Sequence, residues 1–350
     1  MKVRLMPADD AGCGYYRMRE PARIAEREGI EVELAEAIPR VELSGAGELD
    51  GLIVPDALDA DVIVFQRPVK GPLVDLMPHL QERGHTVVVD VDDDFSCIHP
   101  QHPAFDQFHP TRKNTEVSHH HLMRACGMAD MVTVTTPSLA DRYGSHGRVA
   151  VLPNCVPEAM LDMPYLGDGR TLGWGGAHHM HPGDLEVTHH GIREVLDRTG
   201  WKFRVIGRGE GVSEKLGLDS VEATGWLTLE GYQMGIGSLD VAIVPLGESR
   251  FNDGKSYLKG IEYAARGVPF VASPVPSYVQ LANEGIGAIA APRGRTWRGV
   301  IERYINAPGR RQEASQAGRG AVAARHTYEG EGWKWCEAWE FARARRMART

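Results

Sequence analysis

Lys255, Lys259 and Glu262 stand four and three residues apart in the run Phe251-Asn-Asp-Gly-Lys-Ser-Tyr-Leu-Lys-Gly-Ile-Glu-Tyr-Ala-Ala-Arg-Gly-Val-Pro-Phe-Val-Ala-Ser273. The spacing predicts a helix over 256–266, with Ser256 near its N-cap and Gly267 as its stop, that carries both ammonium groups and the carboxylate on one face. Two cations can neutralise a diphosphate, and a carboxylate can accept hydrogen bonds from ribose or sugar hydroxyls. The start of the helix adds amide donors for an anion. The same spacing also fits a plain solvated Lys/Glu face.

Four other places hold residues of chemical interest. Gly12-Cys-Gly14-Tyr15-Tyr16-Arg17 follows a first apolar run, where glycines permit a tight turn and close approach to an anion; the alternative is a turn with Tyr15 or Tyr16 packed beneath it. Trp174-Gly175-Gly176-Ala-His178-His179-Met-His181-Pro-Gly-Asp184 follows another strand-like run. Its three histidines lie within four residues, but no compact metal-ligand spacing surrounds them. Val205-Ile-Gly207-Arg208-Gly209, with Lys215 beyond it, is a glycine-rich turn with cations at its rim, equally readable as a surface turn. Asp90-Val-Asp92-Asp93-Asp94 ends an apolar strand, and such clustered carboxylates can hold a divalent cation on a diphosphate.

The run from Lys255 through Glu262-Tyr263-Ala-Ala to Gly267-Val-Pro269 resembles the donor-binding segment of retaining GT-B glycosyltransferases of the family 4 type. That family carries a Glu-x7-Glu motif here; Glu262 matches its second glutamate, while Gly254 stands at the first with Asp253 beside it. The resemblance implies that Lys255, Arg208, Glu262 and Asp253 form the catalytic set. It places Gly14, Arg17, Trp174, Gly175, Gly176, His181, Lys215, Ser256 and Lys259 around the donor, and Trp226 where backbone meets the nucleotide base. Tyr15, Tyr16, Asp92, Asp93 and Asp94 would line the acceptor side. His99, His102 and His109 are candidates for a histidine near the transferred sugar, with His99 taken for the acceptor side.

The elements that must position these residues alternate as β and α. Strands are expected at 3–6, 62–65, 86–91, 131–135 and 149–152, then at 171–174, 202–206, 221–223, 241–245, 270–272 and 288–290, with helices such as 71–83 and 115–129 between them. Two Rossmann-like domains follow, at 1–160 and 168–329, with proline-rich 153–168 as the linker. The resemblance makes them an α/β GT-B fold whose parallel sheets face an interdomain cleft. It also gives the aromatic-rich end, 330–350, to a helix crossing back onto the first domain, in preference to a membrane-surface helix.

The 350 residues, 42% hydrophobic and 25% charged, suit a soluble two-domain protein. No apolar run approaches the roughly 20 residues that span a bilayer, and the N-terminus reads as a strand, so a cytoplasmic location is expected. Cys13, Cys97, Cys126, Cys155 and Cys336 show neither a disulfide framework nor zinc spacing. The net charge is -8, with the acidic excess in the first half, which disfavours duplex nucleic acid as a partner.

The reading is a glycosyltransferase that moves a sugar from a UDP- or GDP-sugar to a hydroxyl acceptor (glycan, lipid, protein or modified nucleotide), retaining configuration and requiring no metal or other cofactor. Two alternatives stand beside it. A non-catalytic module would bind a sugar nucleotide or glycan, and a metal-dependent glycosyltransferase would use Asp92–Asp94.

Overall fold

The computed structural model describes residues 1–35, 59–109, 117–180, 182–290 and 294–349. They form two compact units: Met1–Ser96 with Asp106–Asn154 and Glu331–Thr350, and Cys97–Phe105 with Cys155–Gly330. The boundary therefore falls at residue 154, and the segment 97–105 packs with the second unit.

The first unit holds a six-stranded sheet of β1 (Lys2–Met6), β2 (Glu31–Leu34), β3 (Val62–Gln66), β4 (Thr86–Val91), β5 (Met131–Val134) and β6 (Val149–Val151). They lie in the order β2-β1-β3-β4-β5-β6, all parallel. Both faces of such a sheet are covered, so its central strands read as continuous apolar runs, and β3 and β4 are buried at every position. Glu31–Leu34 was not expected from the sequence: it alternates Glu with Val and Leu at the sheet edge and stays half exposed. The C-terminal helix Trp333–Met347 belongs to this unit, with Trp335 and Trp339 in its core and Trp333 and Phe341 exposed.

The second unit holds β7 (Thr171–Gly175), β8 (Lys202–Ile206), β9 (Glu222–Ala223), β10 (Val241–Val244), β11 (Phe270–Ala272) and β12 (Ala288–Ile289). Their order is β12-β11-β10-β7-β8-β9, again all parallel. Counted within the unit this is the doubly wound order 3-2-1-4-5-6 read from one edge to the other. Connections leave in opposite directions from β7 and β10, so the carboxyl ends of these two neighbours open the crevice where such sheets take ligands.

The stretch expected to be a linker is instead packed into this unit. Val156 bridges Thr327, and Val156, Met160 and Leu161 are buried against Ile261, Tyr263 and Val322. The buried Arg266 guanidinium fixes the chain that follows by donating to the carbonyls of Met160, Met163 and Pro164 and, through Nε, to that of Gln233. Among the described residues no helix is long and apolar enough to cross a membrane.

Candidate functional site

Three loops converge at the carboxyl ends of β7, β8 and β9. Gly176 N donates to Ile206 O at 3.0 Å, Gly207 N donates to Thr224 Oγ1 at 2.9 Å, and Gly225 N donates to Gly207 O at 3.0 Å. Gly207 has φ +135°, and a Cβ there would lie 2.2 Å from Gly176 O, so only glycine lets these two backbones meet. Gly175 is equally constrained, because its Cβ would stand 2.6 Å from Tyr232 Oη and 3.0 Å from Tyr263 Oη.

Tyr263 Oη accepts a hydrogen bond from Gly175 N at 2.7 Å, tying the helix Leu258–Ala265 to the end of β7. Tyr263→Phe leaves that buried amide unpaired and is expected to destabilise the protein by about 1–3 kcal/mol, read as a lower Tm with the fold retained.

The helix begins at Leu258, two residues later than the sequence predicts. Tyr257 occupies its N-cap, Ser256 stands one residue before it, and Gly267 at φ +71° follows the end as expected. Lys255 therefore precedes the helix, with its ammonium 4.3 Å from the centre of the Phe251 ring, while Lys259 and Glu262 lie one turn apart on the helix itself. The preceding helical turn, Arg250–Asp253, is fixed from both sides: Ser249 Oγ accepts from Asn252 N, and the Asn252 amide donates to Asp184 Oδ1 at 2.7 Å. Asp184 Oδ1 also accepts from Gly247 N at 2.7 Å. Asp184 and Asn252 are buried and join the loop after β7 to the loop after β10, across the crevice. Sequence reasoning missed this pairing, whose partners are 68 positions apart.

Lys259 Nζ lies 5.2 Å from the centre of the Trp174 ring and 3.2 Å from where a Gly176 Cβ would stand. Burial, and then the neighbouring Lys255 charge, lower its pKa to about 8 against the pull of Glu262 and Asp184. Trp174 is buried, so it carries Lys259 on its face and does not itself reach solvent. Glu262 is only 3% exposed and points its charge into the same environment. A cleft of about 260 Å³ is lined by Gly247, Glu248, Ser249, Asp253, Ser273 and Val275 among others; exposed Asp253 therefore borders it, as does Glu248, which the sequence reading did not single out.

On the far side of the crevice, Arg208 lies 5.5 Å from the centre of the exposed Trp226 ring. Lys215 ends a short helix and pairs with Glu186 at 2.9 Å, and this partner raises its pKa. His181 lies outside the described residues. Among the described residues no three His, Cys, Asp or Glu side chains come together to hold a metal.

The histidine that comes to Lys255 is His102, not His99. The His102 ring lies tilted against that of Phe251, with centroids 6.2 Å apart, and burial, then Lys255 and His179, lower its pKa. His99 is exposed and accepts a hydrogen bond from Gln101 N. His109 lies in the first unit, 6.4 Å from His119.

In the first unit Arg17 is not available to a donor. It is 1% exposed, donates Nε and Nη2 to the two oxygens of Asp90 at 3.0 and 2.6 Å, and donates Nη1 to Leu152 O at 2.6 Å and to Asn154 Oδ1. Tyr16 is buried beneath the turn and Tyr15 is half-buried beside it. Gly14 N donates to Asp9 Oδ1, and a Cβ on Gly14 would meet Asp9 O at 1.9 Å.

Arg67, at φ +48°, bonds Asp9 and approaches Asp92 at 3.5 Å. Asp94 accepts from Ser96 N and Oγ and faces Arg142, and Asp93 is the most exposed of the three. The carboxylates of this run are thus spread over separate partners.

None of the curated proteins matches the chain significantly. Residues 189–333 match the glycosyl transferase-like family. Among solved structures, sucrose-phosphate synthase from Thermosynechococcus elongatus is 16% identical, with TM-score 0.63, over 98% of this chain and 99% of that one. Anabaena HepE in complex with UDP is 14% identical, with TM-score 0.64, over 97% and 100%. A glycosyltransferase from Rickettsia africae is 12% identical, with TM-score 0.64, over 97% and 98%. The chain therefore has the GT-B fold, with a match to the glycosyl transferase-like family confined to residues 189–333.

Proposed function

We propose that the protein transfers a sugar from a UDP- or GDP-sugar to a hydroxyl acceptor, retaining configuration and using side-chain cations in place of a metal. The observation that carries this reading is the meeting, at the switch point of the second sheet, of close-packed Gly176 and Gly207 backbone with Lys259 and Glu262 on the adjoining helix. Glycine backbone admits a bulky anion close to the strands. Lys255, Lys259 and Arg208 stabilise the diphosphate as the sugar leaves, and Glu262 accepts from ribose hydroxyls. Asp253 borders the cleft and takes the sugar-facing part of the glutamate absent at Gly254. HepE has been solved with UDP and with UDP-glucose, which supports a nucleotide-sugar donor for a chain of this fold. The acceptor is a glycan, lipid, protein or modified nucleotide, met in the cytoplasm.

The test is thermal stabilisation by UDP, GDP and ADP and their sugar conjugates in the presence of EDTA, for wild type and Lys255→Ala. A shift from one nucleotide that survives EDTA and is lost in the variant is expected. A shift abolished by EDTA overturns the metal-free part, and no shift with any nucleotide overturns the donor site. Gly254 favours a second reading, a module that binds a sugar nucleotide without turning it over. Release of UDP or GDP from the bound sugar nucleotide separates the two.

A further inference from the structure

Trp226 is 71% exposed, the most exposed of the large hydrophobic side chains among the described residues. It is nevertheless held in place. Gly225, at φ +77°, donates to Gly207 O, Thr224 Oγ1 accepts from Gly207 N, and Leu227 packs on the core. A rigid turn thus presents a large apolar ring to solvent, which costs free energy unless something covers it.

What covers it here is a charge. Arg208, itself exposed, sits with its guanidinium 5.5 Å from the centre of the indole, and among the described residues it makes no ion pair. Arg208 projects from the loop that meets Gly176, and Trp226 from the neighbouring turn that bonds Gly207 in that same loop, at the mouth of the crevice.

We infer that the indole face of Trp226 is the stacking surface for the donor's base and that the Arg208 guanidinium occupies it until the donor arrives. This rests on the nucleotide-sugar reading above. A base is a flat π-system that covers more of the ring than a guanidinium does, and stacking on an aromatic outweighs an exposed cation–π contact. The displaced guanidinium is then released at the rim of the site, where a diphosphate offers it charge-assisted bidentate hydrogen bonds. One exchange both seats the base and delivers the cation. It also makes the two halves of the nucleotide unequal: the nucleoside must evict Arg208 with no phosphate to receive it, whereas the diphosphate rewards the eviction.

The experiment is calorimetric titration of wild type, Trp226→Ala and Arg208→Ala with UDP and GDP and with uridine and guanosine. Both side chains are exposed, and an unchanged Tm for each variant confirms the fold. Trp226→Ala is expected to raise the Kd of the preferred nucleoside diphosphate and of its nucleoside alike, by about 5- to 100-fold.

Arg208→Ala is expected to act with opposite signs. It raises the Kd of the diphosphate about tenfold but lowers that of the nucleoside about two- to fivefold, because the competitor for the indole is gone. Weaker or unchanged nucleoside binding in Arg208→Ala overturns the exchange, and an unchanged Kd in Trp226→Ala overturns the stacking surface. If either result accompanies diphosphate binding that still depends on Lys255, the donor reading stands without it. If neither diphosphate binds wild type, both fall.

Discussion

Lys259→Ala raises the Kd of the preferred nucleoside diphosphate about 10- to 100-fold, the amount expected when a charged hydrogen-bond donor to a phosphate is removed. The reason lies in where the ammonium is held: against the Trp174 ring, above Gly176, with Glu262 and Asp184 as its nearest carboxylates. A cation already stripped of much of its water loses little more when the diphosphate takes its place beside it.

The same burial gives the pH dependence. Desolvation and the Lys255 charge lower the pKa of Lys259 to about 8, so the ammonium is fully charged below that pH and loses its proton as the pH rises through it. Affinity for the diphosphate therefore falls above about pH 8 with the loss of one proton from the protein. Lys259→Arg, which stays charged, moves the fall to higher pH. A wild-type affinity flat to pH 9.5, or a Lys259→Ala variant that binds UDP and GDP as wild type does, removes Lys259 from the site. Lys255→Ala serves as the internal comparison: losing it removes one cation and also raises the pKa of Lys259, so its alkaline limb shifts upward.

How much of this could be read from the chain depends on the range of each interaction. The central strands show themselves because parallel strands covered on both faces are apolar throughout, as in Thr86–Val91, whereas Glu31–Leu34 hides its strand behind alternating glutamates at an edge. The stop at Gly267 is local and was legible. The start of the same helix was not, because what holds Lys255 outside it is the turn Arg250–Asp253, locked by Asp184 from 68 positions away. Glycine pairs fail for a like reason. That Gly207 must be glycine follows from the carbonyl of Gly176, which no pattern near residue 207 reveals. Among the histidines, the sequence offers His99, His102 and His109, with His99 taken for the acceptor side, and only packing brings His102 to Phe251 and Lys255.

Arg17 shows the same limit most sharply, and its replacement has the largest expected effect on stability. By position it follows the first strand and a glycine turn, the place of an anion-binding residue. By structure it is a brace, with hydrogen bonds to Asp90, Leu152 and Asn154 of the first unit and Trp335 of the C-terminal helix 5.4 Å from it. Asp90, its partner 73 positions on, also accepts from Thr133 Oγ1 at 2.6 Å, so one ion pair ties the turn after β1 to β4, β5 and the chain beyond β6. Arg17→Ala leaves the Asp90 carboxylate charged and buried without its guanidinium, a change that costs about 3–5 kcal/mol. Set against a total stability of about 5–15 kcal/mol, that is a large share. The expected result is a much lower Tm and reduced soluble yield. Arg17→Lys is expected to recover only part of the loss, because an ammonium cannot match both oxygens of Asp90 at once. Folded Arg17→Ala, stabilised by low temperature or osmolyte, is expected to bind the nucleoside diphosphate with the wild-type Kd, since the residues proposed to hold it belong to the second unit. An unchanged Tm together with a raised Kd would return Arg17 to the donor site and overturn the brace.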